Sequence, residues 1–170
     1  MSMKGRSLAL SSLFGVVIFS QKLLFPAPYD KIVSVFVQIM LLSLAFLILG
    51  FMGPIYTGFI SGLLTASMRG GLASMTFSFA VLYGVLVGAL NQLMRVVESG
   101  HVRRWRLMAS SLTSTLLVGV ISAAFSIVLG IIPYNPLLVS IIMAAGAIQG
   151  LTGGLISGIL WEKYLRNLSN

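Results

Sequence analysis

No charged residue falls between Lys31 and Arg69. An uncharged run of that length is two apolar helices in a row, and a membrane-crossing helix needs about 20 mostly apolar residues. The run is interrupted at one place, Gly50-Phe51-Met52-Gly53-Pro54. Pro54 lacks an N–H donor and suits the first turn of a new helix. Gly50 and Gly53 supply the backbone angles a turn needs. The helix that follows carries Gly58 and Gly62 four residues apart, so a neighbouring helix can approach closely. The stretch 50–71 is therefore the corner around which the chain is expected to fold.

Only 8% of the 170 residues are charged, whereas 58% are hydrophobic. A soluble domain carries about 25% charged residues, so the bilayer is the solvent. Backbone polar groups in hydrocarbon must be satisfied internally, and the apolar segments are too long for barrel strands. The expectation is an all-α integral membrane protein of the cell membrane, one domain over residues 1–170. There is no cysteine, hence no disulfide framework and no thiolate chemistry. The apolar run after Lys4 and Arg6 continues to Phe25 without a small-x-small cleavage site, so it reads as a first membrane helix and not as a cleaved signal.

Six transmembrane helices are expected, near 7–24, 31–49, 54–68, 72–97, 107–131 and 137–160. Pro26 and Pro28 break the first connection, Arg69-Gly70-Gly71 the third, and Pro133-Tyr134-Asn135-Pro136 the last. Residues 98–106 read as a polar loop. Six spans put both termini on one side, with Lys4, Arg6, Arg95, Arg103, Arg104, Arg106, Lys163 and Arg166; the other side holds Lys22, Lys31 and Arg69. The excess makes both termini cytoplasmic. The net charge of +8 is explained by this asymmetry, and nucleic acid is not expected as a partner.

Gly146, Gly150, Gly154 and Gly158 form a ladder on the sixth helix, and Gly84 and Gly88 repeat the spacing on the fourth. The plainer reading is internal helix packing; the alternative is a seam between subunits. Ser7, Ser11 and Gly15 mark a small-residue face on the first helix, read as a docking face for a partner.

The carboxylates are Asp30, Glu98 and Glu162 and the one histidine is His101, all near membrane edges. They do not assemble a general acid–base pair inside the membrane or a metal-ligand cluster, and no phosphate-cradling Gly-x-x-x-x-Gly-Lys occurs. An enzyme is not expected, nor is a cofactor. Ion-driven transporters commonly carry intramembrane ionisable residues; none lies deep in a span here.

Uncharged polar and aromatic residues gather in the outer half. Gln38 lies ~10 Å into the second helix at 1.5 Å per residue. Thr76, Phe79 and Tyr83 share a face of the fourth. Ser122 and Ser126 pair on the fifth, Tyr134 and Asn135 occupy the next loop, Gln149 lies on the sixth, and Arg69 sits at the rim. Such a set suits a small-ligand site, which is mostly apolar with a few placed polar groups. The competing reading is that the hydroxyls bond their own helix carbonyls. Without a buried carboxylate, the ligand is expected to be neutral or anionic, and planar.

The segment Gly53-Pro54-Ile55-Tyr56-Thr57-Gly58-Phe59-Ile60-Ser61-Gly62-Leu63-Leu64, with six short helices around it, resembles the substrate-binding S components of energy-coupling factor (ECF) vitamin transporters. The resemblance implies a vitamin-capturing protein with an extracellular-side site, docking on a separate transmembrane coupling protein driven by two ATPase subunits. The family's Ala-x-x-x-Ala docking motif on the first helix is matched here only by Ser7-x-x-x-Ser11-x-x-x-Gly15. The histidine-bearing N-terminus of the metal-uptake branch has no counterpart in Met1-Ser2-Met3-Lys4. A small homo-oligomeric channel or exporter is the alternative; a structural protein without a small ligand is a third.

Overall fold

A computed structural model describes residues 3–24, 29–98, 101–131, 133 and 135–165. Six α-helices follow in order: α1 (Met3–Leu24), α2 (Tyr29–Leu49), α3 (Met52–Ala66), α4 (Ala73–Leu93), α5 (Arg104–Val128) and α6 (Pro136–Leu160). Four segments are long and apolar enough to cross a membrane, Ser7–Leu24, Gly70–Leu93, Arg104–Val128 and Pro136–Leu165. The described apolar part of α2 is Val33–Leu49. α3 has 15 residues, about 22 Å of helix at 1.5 Å per residue, shorter than the ~30 Å hydrocarbon layer.

The corner at Gly50 forms as its residues dictate. Gly50 takes φ +72° and its N–H donates to the Phe46 carbonyl at 2.8 Å, a left-handed cap that ends α2. Gly53 serves differently from the expectation. It lies inside α3, and a Cβ there would run into the Ala45 carbonyl, so the reason for glycine is close approach and not a backbone angle.

α2 is the axis. Leu41 to Leu47 are all buried, as befits a helix apolar on every side, and α2 packs on each of the other five helices. Around it, small residues set the seams. A Cβ on Gly58 would sit 2.6 Å from the Ala80 carbonyl oxygen of α4, and one on Gly150 2.9 Å from Leu112 Cα of α5. The Gly150 and Gly154 steps of the sixth-helix ladder thus face α5 within the same chain, and Gly153 faces α2. This is the packing reading of the ladder, and it leaves the subunit-seam reading without those two steps.

The first-helix docking face needs correction. Ser11 is fully buried, and a Cβ on Gly15 would lie 2.8 Å from Ile60 Cγ2, so α3 covers this face. Ser7 is half-buried. Small residues mark where a helix comes close without saying which helix comes.

The 98–106 loop is also more ordered than expected. Val97–Glu98 (β1) pairs antiparallel with His101–Val102 (β2), Val97 opposite Val102. α4 stops at Leu93 because Arg95 turns left-handed at φ 47° and the Val96 N–H reaches back to the Asn91 carbonyl at 3.0 Å, the bond pattern of a Schellman cap. α5 starts at Arg104, so Arg104 and Arg106 belong to its first turn. It ends at Val128 and not 131, because Gly130 takes φ +68° and the Ile131 N–H bonds the Ser126 carbonyl at 2.9 Å. After α6 the chain continues as a wide helical turn, Trp161–Leu165.

Phe46, Leu47, Val96, Leu107 and Trp161 form one core cluster. It gathers the end of α2, the β1–β2 hairpin, the start of α5 and the end of α6 at one end of the bundle, the hairpin end. The opposite, distal end carries the α3–α4 and α5–α6 connections.

Candidate ligand-binding cleft

Burial is distributed unevenly along the bundle. Every buried residue of α4 lies between Ala80 and Asn91, of α5 between Leu107 and Thr115, and of α6 between Gly150 and Gly158. These stretches are the hairpin-end halves, where glycine and serine allow close packing. The distal halves contain the bulkier side chains Met75, Phe79, Phe125, Leu138 and Ile142. No residue of the distal stretches 73–79, 116–128 or 136–149 is buried.

The splay opens a cleft of about 470 Å³ between α4 and α5, lined by Ser74, Met75, Ser78, Phe79, Leu82, Ile121, Phe125 and Leu129. The spacing puts Ser74, Ser78 and Leu82 on one face of α4, and Ile121 and Phe125 on one face of α5, with Leu129 at its C-cap. Phe79 and Phe125 meet edge to face across it, ring centroids 5.9 Å apart at 83°. On the other side of α5, a crevice of about 80 Å³ is lined by Ser122, Ala123, Ser126, Ile127, Leu138, Val139 and Ile142. The distal end of α5 is therefore the partition between the two. Small-molecule sites run from about 300 to 1,000 Å³, so the α4–α5 cleft has the capacity and the crevice does not.

The closed half beneath is fastened by hydroxyls. Thr115 Oγ1 donates to the Ser111 carbonyl at 2.8 Å. Its one proton is used there, so the Tyr83 hydroxyl donates to Thr115, at 2.8 Å. Ser43 and Ser111 join α2 to α5 at 3.2 Å, and the Ser157 hydroxyl reaches the Met40 carbonyl at 3.0 Å as well as the Gly153 carbonyl of its own helix at 2.7 Å. These bonds connect α2, α4, α5 and α6 where the hydrocarbon supplies no hydrophobic drive between helices.

Of the residues singled out in the sequence, Phe79 lines the cleft and Ser122 and Ser126 line the crevice. Ser122 also bonds its own helix, donating to the Gly119 carbonyl at 3.1 Å, so both readings of that serine hold together. Tyr83 is 3% exposed and is spent on fastening α4 to α5. Asn135 caps α6, its side-chain oxygen accepting from the Leu137 N–H at 3.0 Å and the Leu138 N–H at 3.4 Å. Gln38 is buried on α2, and Thr76 and Gln149 are half-buried; none of the three lines the cleft or the crevice. Arg69 is exposed, just before the turn Gly70–Leu72 that leads into α4. Tyr134 lies outside the described residues.

Sequence reasoning missed Ser74, Ser78 and Phe125. Ser74 and Ser78 form an i, i+4 pair like Ser122 and Ser126, and that signal was present. The face chosen on α4 ran through Tyr83, whose burial turned it towards the core.

The cleft lining holds hydroxyls, a thioether, aromatic edges and aliphatic carbon, without a charged side chain. Such a surface offers dispersion contacts and a few hydroxyl hydrogen-bonding groups. Glu98 and Glu162 are engaged by arginines at the hairpin end. Among the described residues no group of three or more His, Asp or Glu is placed to hold a metal ion. No family model, no curated protein and no solved structure matches the chain.

Proposed function

We propose that the chain is a membrane-embedded substrate-capture component of an ATP-driven importer of the ECF type. It binds a vitamin-like micronutrient in the distal α4–α5 cleft. The observation that carries the reading is the uneven closure of one helix bundle: tight and hydroxyl-fastened at the hairpin end, open and aromatic-lined at the distal end. A capture protein needs one accessible site above a sealed floor, and this arrangement supplies both.

In this reading six helices traverse the cell membrane, α3 as a short one sheltered by α1, α2 and α4, and the hairpin end is cytoplasmic. Arg95, Arg103, Arg104, Arg106 and Lys163 lie there, in keeping with the positive-inside rule. The cleft then opens outward. The ligand is neutral or anionic and planar: the lining offers no carboxylate for a cation, while Arg69 stands at the distal rim for an anionic substituent. The chain performs no chemistry on the ligand. Energy comes from a separate transmembrane coupling protein with two ATPase subunits, which docks on a lipid-facing surface other than the Ser11–Gly15 face.

Mass spectrometry of small molecules released from the detergent-purified protein tests this. The expected result is one stoichiometric planar compound, retained by the native chain and lost in Phe125→Ala. An empty protein that conducts solute across liposomes without any partner would overturn the proposal in favour of a channel.

A further inference from the structure

Glu98 at the hairpin end accepts from two guanidiniums, Arg103 at 2.8 Å and Arg106 at 3.2 Å. Arg104 pairs with Glu162. Both described carboxylates of that end are thus taken, and Arg95 and Lys163 are left with no carboxylate within ion-pair distance among the described residues. Val96, which follows Arg95, and Trp161, two residues before Lys163, belong to one core cluster, so both cations lie at the hairpin end. Arg95 is also held in place. Its φ of 47° is rare for a residue with a side chain, and its carbonyl accepts from Arg106 Nη1 at 3.2 Å.

Beside these cations stand exposed amphipathic and apolar groups. Trp105 is 75% exposed between Arg104 and Arg106, and Leu93 is 78% exposed two residues before Arg95. Lys163 lies 5.4 Å from the centre of the Tyr164 ring. A soluble anion has no use for the indole or the leucine. A lipid does: its phosphate meets the cations while its glycerol and upper acyl carbons lie along Trp105, as tryptophan does at membrane interfaces generally.

We propose that the hairpin end binds the head group of an anionic phospholipid, with Arg95 and Lys163 contacting the phosphodiester and the Glu98-bound arginine pair adding positive field. Guanidinium forks suit a phosphodiester, and each cation near an anionic surface contributes roughly fivefold in binding.

The test is native mass spectrometry of the full chain in detergent, titrated with dioleoylphosphatidylglycerol and, separately, dioleoylphosphatidylcholine. The native chain is expected to retain the anionic lipid several-fold better. The double variant Arg95→Gln/Lys163→Gln is expected to lose about 25-fold in affinity for it, at fivefold per cation, with phosphatidylcholine retention unchanged. Glu98→Gln, which frees Arg103 and Arg106, is expected to raise it about fivefold. Equal retention of the two lipids by the native chain, or anionic-lipid affinity unmoved in the double variant, overturns the proposal. Displacement of the lipid by inorganic phosphate overturns the lipid assignment in favour of a soluble anion. Should the double variant fail to fold, salt decides on the native chain: retention must fall several-fold between about 50 and about 500 mM salt, and constant retention refutes the site.

Discussion

Gly58→Ala is the sharpest test of how this bundle is held. The new Cβ would lie 2.6 Å from the Ala80 carbonyl oxygen and 3.3 Å from Gly84 Cα. Both neighbours are helix backbone, so neither can rotate away as a side-chain end would, and α3 and α4 must separate by most of an ångström. Overpacking of this kind costs about 1–3 kcal/mol. At about 2–4 °C per kcal/mol for a chain of this size, the melting temperature should fall by about 2–12 °C. Two other glycines separate the causes. Gly71 has open space around it, so Gly71→Ala should leave the melt unchanged. Gly50 also has open space but takes φ +72°, so Gly50→Ala should cost about 1–2 kcal/mol through backbone strain alone, and Gly50→Asn less, since asparagine tolerates that region. The assay is thermal unfolding in detergent followed by intrinsic fluorescence, with buried Trp161 as reporter at the hairpin end. Equal melting temperatures for the Gly58 and Gly71 variants would refute the close α3–α4 seam. The cleft would lose its fixed wall with it, because α4 carries five of the eight lining residues.

Other substitutions probe the remaining features. Phe125→Ala removes an edge-to-face partner worth about 0.5–1.5 kcal/mol from a residue 56% exposed; ligand affinity should drop while the melt moves little, and a large melt shift with intact affinity would contradict the cleft. Ser11→Leu forces bulk into the α1–α3 seam and should destabilise by about 1–3 kcal/mol, whereas an unchanged melt would mean that α1 is not seated on α3. Tyr83→Phe deletes the hydroxyl bond to Thr115, which keeps its own bond to Ser111; a loss of about 0.6 kcal/mol, the average for hydrogen bonds between membrane helices, should appear in a denaturation series, and a gain in stability would count against the fastening role. Asn91 is fully buried with neither amide atom bonded among the described residues. Asn91→Leu should therefore raise the melting temperature by removing an amide that costs about 1–3 kcal/mol unpaired; a lower melt would show that the amide has a partner.

Parts of this molecule were legible residue by residue. Gly50 and Pro54 announced the corner because cap and first-turn requirements are local. Gly130 carried the signal for the end of α5 and was passed over, since the apolar run continues to Ile131 and hydropathy alone does not see a cap. The β1–β2 hairpin had no such signal in its short pairing strands, and its closure depends on the Arg103 N–H reaching the Val96 carbonyl at 2.9 Å. Spacing singled out Phe79, which lines the cleft, and Ser122 and Ser126, which line the crevice instead. Asn135 has a further role that spacing does not reveal, since an asparagine before a proline-initiated helix is a good N-cap.

By itself, the sequence determined the apolar character of the chain and its six helices. Long uncharged runs suit a bilayer, backbone satisfaction in hydrocarbon favours helices, and glycine and proline place most of the breaks. Tertiary structure alone decided which face each helix buries, that Ser11 and Gly15 lie under α3, that Tyr83 fastens while Phe79 lines, and that α4 and α5 part at one end. The reason is physical. In a soluble helix the apolar stripe marks the core, but in a bilayer the lipid-facing and core-facing sides are both apolar, so polarity no longer encodes direction. What remains is side-chain size, which records that something approaches closely and leaves the choice of neighbour to the packing of the whole bundle.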